Sequence, residues 1–346
     1  MSQLWVRLDA DIRTLPPGAF AFVMATGIVS TALLLVGWSV VSYVMLALAI
    51  TGLVALTFGL VWRLIRHPDA VARDAREPER AFGYFTIVAA INVVAVRLYW
   101  EAPVAGITLA IISVPIWLLL NYGVQAVLML GKRERPVATQ VNGSWFLWVV
   151  ATQSLAAVGA EIAQGMDSQL LAAISVALWG IGVVLYLMLA TLVTLRLLTT
   201  RNEASTLGPS YWIYMGATAI TVLAGSHILA MPSGLPIMAV TTPVVAGLTY
   251  VLWAFGVWWI PLLVIFGVWR HGIRRVPLRY ESDLWSIVFP LGMYSVASMH
   301  FGAQTHLPLI EKLGEYGAWI SGAAWLAIAV AMVVSLVGHE RPGGPA

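Results

Sequence analysis

The stretch DLWSIVFPLGMYSVASMH, Asp283 to His300, sets a Phe-Pro pair, Phe289-Pro290, inside an apolar segment otherwise rich in small and hydroxylated residues. A proline within a helix withholds its amide hydrogen from the carbonyl four residues back, here that of Ser286, and its ring crowds the same turn. A bend is expected there. Such a helix needs neighbours or water to satisfy the freed backbone when its solvent is lipid. Lipid is the solvent that the whole chain calls for: of 346 residues, 60% are hydrophobic and 10% charged, with a mean hydropathy of +0.87, whereas soluble domains carry about 25% charged residues.

Working outward, apolar runs of about 20 residues recur from Phe20 to the C-terminus, each long enough to cross a hydrocarbon core of about 30 Å. Ten spans are expected, at about 16–37, 40–64, 82–100, 104–130, 144–162, 168–197, 210–230, 238–269, 283–302 and 317–338. They form one transmembrane domain over residues 1–346. The first run is too long, and lacks a small-residue cleavage site, for a secretory signal, so it reads as a retained span with Pro17 in its first turn. Charge placement tests the division independently. Breaks after even spans carry Arg66, Arg73, Arg76 and Arg80, then Lys132, Arg133 and Arg135, then Arg201, then Arg270, Arg274, Arg275 and Arg279. Breaks after odd spans carry Glu101, Glu161, Asp167, Glu311 and Glu315, with Lys312 the one lysine in those breaks. By the excess of Lys and Arg in cytoplasmic loops, both termini are cytoplasmic, with Arg7 and Arg13 at one end and Arg341 at the other, and the chain belongs in the inner (plasma) membrane.

Odd and even spans differ in texture. The odd ones read VMATGIVS, FTIVAAINV, VVATQSLA, MGATAITVLAG and GMYSVASMH. With Thr26, Thr86, Thr152, Thr218 and Ser295 as equivalent points, the period is roughly 60 to 77 residues, one helical hairpin each. The even spans are dominated by Leu, Val, Ile and Trp. Hydroxyls facing hydrocarbon lack partners, so the odd spans belong inside. The expected fold is an all-α integral membrane protein: ten transmembrane helices as five hairpins, odd helices around a central pore, even helices outside. Against a pore stands the reading that small and hydroxyl residues merely let helices pack closely.

No acidic residue occupies the middle of an inner span, which disfavours a cation path or proton relay. An anion can be held by helix dipoles, hydroxyls and amides, and the available groups are Thr26, Thr86, Asn92, Thr152, Gln153, Thr218, Thr221 and Ser295. Arg97, near the end of the third span, stands four residues before Glu101, within reach of a pair on one helix face. It reads either as a substrate ligand or as an interfacial arginine with a local partner. His227 and His300 lie toward the same ends of their spans, as pH-sensing groups or as hydrogen-bonded packing residues. No cofactor or metal is expected: spacing gives no metal site, and the chain has no cysteine. No catalytic constellation or nucleotide loop appears, so an enzyme is not expected. The basic balance is topology signal without an aromatic-basic module, which sets nucleic acid aside and leaves anionic lipid as the surface partner.

PPGAFAFVMATGIVS, FGYFTIVAAINVVAVRL, NGSWFLWVVATQSLA, SYWIYMGATAI and above all DLWSIVFPLGMYSVA resemble, in order and over essentially the whole chain, the tellurite-resistance/dicarboxylate transporter family. That family includes bacterial tellurite-resistance permeases, fungal malate and sulfite transporters and plant slow-type anion channels. The resemblance implies a quasi-fivefold arrangement of five hairpins, usually in trimers with one pore per protomer, that carries small anions. It also implies a gate: the phenylalanine of a W-x-x-x-FP pattern, here Trp285 through Phe289-Pro290, closes the pore. Prolines kink several inner helices in some relatives, whereas here only the ninth has one well inside, leaving Gly27, Gly216 or the hydroxyl residues to bend the others. Two functions follow: a passive anion channel gated by Phe289, or a proton-coupled carrier of dicarboxylate, sulfite or tellurite-like oxyanions using Arg97, His227 or His300. The missing central charge favours the channel, since a doubly charged substrate needs a cationic partner.

Overall fold

The computed structural model describes residues 2–131, 140–204 and 206–339; Lys132, Arg133, Arg135 and Arg341, part of the charge argument, lie outside them. Among the described residues, ten helical segments are long and apolar enough to cross a membrane: Pro17–Leu35, Ser39–Arg66, Pro78–Tyr99, Pro103–Leu130, Gly143–Met166, Gln169–Thr199, Pro209–Leu229, Pro236–Ile273, Ser282–Thr305 and Pro308–Val337. They are called here the first to tenth helices. Their burial alternates: the most apolar windows of the odd helices are 67 to 89% buried and those of the even helices 6 to 33%. This is the two-shell arrangement that the textures imply. The even helices are also longer, 28 to 38 residues against 19 to 24. At about 1.5 Å per residue the shortest inner helix still spans about 28 Å, so the outer ones tilt or project past the apolar layer.

The inner shell closes on itself. First, third, fifth, seventh and ninth helices pack each on the next, and the ninth packs back on the first. Every even helix packs on the odd helix before it, giving five hairpins, and the second, fourth, sixth and tenth also touch the inner helix that follows in the ring. Each inner helix carries a tight 3-10 turn at or near its start, at Pro17–Phe20, Phe82–Phe85 (after one α turn, Pro78–Ala81), Gly143–Phe146, Pro209–Trp212 and Ser282–Leu284. These turns contact one another in the same cyclic order. Prolines open two of these turns, at Pro17 and Pro209, and at a third Asn142 accepts the Ser144 amide, as an N-cap residue does.

Indole N–H groups fasten the shells. Trp117 donates to Thr152 Oγ1 at 3.1 Å, Trp179 to the Thr221 carbonyl at 2.9 Å, Trp253 to Ser298 Oγ at 2.9 Å and Trp325 to Thr26 Oγ1 at 3.0 Å. In each case an outer helix reaches the inner helix of the following hairpin, and the last bond closes the circle. Glycines admit the close approach: a Cβ at Gly317 would stand 3.1 Å from Ser295 Cβ, and one at Gly182 or Gly256 would strike Gln153 or Thr218. In lipid, where apolar faces gain nothing by meeting, such packing and hydrogen bonding hold helices together.

At the end carrying the N-termini of the inner helices, the basic end, lie two further short helices, Ser2–Thr14 and Pro68–Arg76. Buried Asp74 receives Arg63 at 2.6 Å and Arg80 at 2.7 Å, and Arg63 also donates to Tyr84 and to the Arg13 carbonyl. Asp9 accepts the Trp62 indole and faces His67 at 3.2 Å, contacts that hold its carboxyl below the usual range, the indole bond foremost. At the opposite, acidic end the tenth helix begins at Pro308, nine residues before its expected start. Glu311, Lys312 and Glu315, expected in a loop, therefore occupy its first turns. Glu161, counted with the break after the fifth span although within that span's bounds, lies in the fifth helix five residues before its end. The ninth helix runs as continuous α-helix from Trp285 to Thr305 through Pro290.

Candidate functional site

Inside the ring two cavities are stacked, and all five inner helices line both. The basic-end cavity, about 490 Å³, is reached by Gly18 and Ala21, Gly83 and Thr86, Ser144 and Leu147, Gly208 and Ile213, and Asp283 and Ser286. It is walled by the opening turns of the five helices, so five positive dipole ends converge on it. Its charged side chains are Arg80 and Arg196 against Glu79, Glu281 and Asp283. The acidic-end cavity, about 220 Å³, is lined by Ile28 and Thr31, Asn92 and Arg97, Ser154 and Glu161, Ile220 and His227, and Met293 and His300, among others. Here the helices present their C-terminal ends, where a carbonyl-rich field favours cations.

On each inner helix the two linings are separated by the same interval. Ala21 gives way to Ile28, Thr86 to Asn92, Leu147 to Ser154, Ile213 to Ile220 and Ser286 to Met293. Six or seven residues are two turns, about 10 Å of helix. The residues one turn in from both linings are Met24 and Ala25, Ala89 and Ala90, Val150 and Ala151, Gly216 and Ala217, and Phe289 and Pro290. Neither cavity is lined by any of them. Four helices bring mostly small side chains to this level and the ninth brings Phe289, which is 1% exposed. Pro290 meets Gly216: a Cβ there would stand 2.8 Å from its ring.

The other expected pore groups divide. Thr86 lines the basic-end cavity while its hydroxyl donates to the Gly83 carbonyl at 2.7 Å. Asn92 lines the other, donating to Ser154 and accepting from Ser113. Thr26, Thr152, Gln153, Thr218, Thr221 and Ser295, expected at the lumen, are not among the residues that line either cavity. Thr26 and Thr152 accept indoles from outer helices, Gln153 donates to the Trp179 carbonyl at 3.1 Å, and Ser295 donates to the Gly314 carbonyl at 2.7 Å. Thr218 and Thr221 return their hydroxyls to carbonyls of their own helix, at Met215 and Ala217. A hydroxyl buried in lipid is satisfied as well by the preceding turn or an outer helix as by water, so its presence does not report which way it faces.

Arg97, His227 and His300 do come together, with a partner that sequence reasoning assigned to a loop. Arg97 pairs with Glu101 at 2.5 Å, touches Ser42 Oγ at 3.3 Å and lies over the Tyr43 ring. Glu161 pairs with His227 at 2.5 Å through one carboxylate oxygen and accepts the Trp100 indole on the other. The His300 ring centre is 5.1 Å from that of His227. The available signal was positional: Arg97, Glu161, His227 and His300 all fall in the closing turns of odd helices. Among the described residues no group of three His, Asp or Glu is arranged to hold a metal ion.

Comparison with known proteins agrees with this architecture. Residues 14–333 match the model of the family described as voltage-dependent anion channel. An uncharacterized membrane protein of Mycobacterium tuberculosis is 50% identical over 149 residues, which cover 43% of this chain and 75% of the relative. Two uncharacterized transporters of Methanocaldococcus jannaschii align almost end to end: one is 22% identical over 96% of this chain and 98% of its own length, the other 25% identical over 91% of each. With ten membrane-spanning helices in a closed ring of hairpins and a family match over nearly its whole length, the chain belongs to the voltage-dependent anion channel family, the tellurite-resistance/dicarboxylate transporter family of the motifs quoted above.

Proposed function

We propose that the chain is a channel for small monovalent anions, conducting through the two stacked cavities and closed between them by Phe289. The observation that carries this reading is the shared register: one stripe on each of five helices lines both cavities, and Phe289 is the large aromatic ring at the level where both linings stop. Convergent helix N-termini make the basic-end mouth attractive to anions despite its acidic side chains. The basic end faces the cytoplasm of a cell whose inner (plasma) membrane holds the protein, with both termini on that side and lipid against the outer helices; the assembly is a homotrimer with one pore per protomer. Bilayer recording of wild type and Phe289→Ala tests the gate, the variant being expected to pass anion current at rest. A second reading, a proton-coupled carrier of dicarboxylate, sulfite or tellurite-like oxyanions, is favoured by the Glu161, His227 and His300 group in the acidic-end cavity. Uphill accumulation of such an anion by wild type under a proton gradient would select it.

A further inference from the structure

We propose that the acidic-end cavity is a binding site for one small monovalent anion, taken up together with one proton on His300. The proposal deepens the pore reading and rests on it for the route by which the anion leaves. Five ionisable side chains line this cavity: Arg97, Glu101, Glu161, His227 and His300. Four are matched in two close pairs, Arg97 with Glu101 and His227 with Glu161. With each pair ionised the set sums to zero. His300 is left over, with no carboxylate at ion-pair distance among the described residues and the His227 ring beside it.

A proton on His300 therefore adds one positive charge that no protein group answers. That charge stands next to a second imidazolium, in a site walled by Ile28, Ile220 and Met293, where an unanswered charge is costly. An anion in the cavity answers it. Without the proton the anion meets a neutral site and the carbonyl ends of five helices, which repel it. Proton and anion thus each raise the affinity for the other by the same factor. The balance is one to one, so a dianion would leave a negative charge uncompensated. Donors are in place: buried Arg97 has an Nε with no hydrogen-bond partner among the described residues, and Thr31 lines the same wall. At about 220 Å³, against about 30 Å³ for a water molecule, the space takes a halide or nitrate with a few waters.

Among the described residues, the helices around His300 bring no other answering charge. The seventh contributes His227 and the fifth Glu161, already paired; the third contributes Arg97 and Glu101; the first lines the cavity with Ile28, Thr31, Leu34 and Leu35. The tenth packs the Glu311 backbone on Gly302 and leaves Lys312 and Glu315 exposed. His306, past the helix end, is exposed as well.

The test has two arms. Thermal melting of purified protein, with chloride or nitrate added against an impermeant bulky anion, reads binding without conduction. Anion should raise the melting temperature at about pH 5 and not at about pH 8, and His300→Gln and His300→Asn should each abolish the shift. In bilayers the Phe289→Ala current should rise several-fold when the acidic-end compartment is acidified over the same range, and adding His300→Gln should remove that dependence. Anion stabilisation independent of pH, or a pH dependence that survives both His300 variants, overturns the proposal. A pH-linked melting shift with no current in Phe289→Ala at any pH would leave the site standing and refute the channel.

Discussion

Gly216→Ala should lever the plug. An added Cβ would lie 2.8 Å from Pro290 Cγ and 3.1 Å from its Cβ, whereas non-bonded carbons rest about 3.5 to 4.0 Å apart. The seventh and ninth helices must therefore separate, or the proline ring shift, by about 0.7 Å. A proline ring is fixed to the backbone and does not swing aside as a long side chain would, and overpacking of this kind costs about 1 to 3 kcal/mol. The displaced residue is the neighbour of Phe289, so the strain falls on the proposed gate. Expected are a lower melting temperature in detergent and a resting anion current between those of wild type and Phe289→Ala. Gly256→Ala is the control: its Cβ would strike Thr218 on the face turned to the outer helix, so it should destabilise without adding current. Unchanged melting and unchanged current in Gly216→Ala, or equal currents in the two variants, would refute the reasoning.

Further outcomes follow from the same geometry. The chain has no cysteine, so Ser154→Cys and Val96→Cys, which line the acidic-end cavity, should react with a water-soluble thiol reagent, whereas Thr152→Cys and Ser295→Cys should not. Trp325→Phe removes the indole bond to Thr26 and should cost about 0.5 to 1.5 kcal/mol, read as a lower melting temperature with current unaltered. Asp74→Asn leaves buried Arg63 without its counter-charge and should cost about 3 to 5 kcal/mol, measured by melting or by folded yield. Asp9 has its carboxyl lowered in the folded state, so the stability its ionised form adds through the Trp62 indole is present above about pH 3.9 and is lost as pH falls through the folded value. Limited proteolysis should release the helix Ser2–Thr14 in acid, and in Asp9→Asn already at neutral pH.

The division into ten helices was legible because two signals agree on it, apolar length and the alternation of Arg-rich with Glu-bearing breaks, and the two shells were legible in the contrast between small, hydroxylated odd spans and greasy even ones. What the sequence concealed is direction. Thr26, Thr152, Gln153, Thr218, Thr221 and Ser295 were legible as inner-helix residues, yet a hydroxyl or amide can be satisfied by an outer-helix indole, by a glycine-rich neighbour or by its own preceding turn. The stripe that lines the two cavities mixes apolar and polar residues, as at Ala21 and Ile28, Thr86 and Asn92, and Leu147 and Ser154, and only the register between helices reveals it. Glu161 was hidden by its closeness to the helix end, where a carboxylate reads as a solvated loop residue; only the fold brings His227 to within 2.5 Å of it. Phe289, by contrast, stood out because a proline beside a bulky ring is costly in a helix, and costly features need a reason.

The most direct test is the resting anion current of Phe289→Ala in a planar bilayer, beside wild type, with the reversal potential read in a chloride gradient. The channel account predicts a large added current that reverses near the chloride equilibrium potential. No added current, or a current that reverses with the cation gradient, would contradict it.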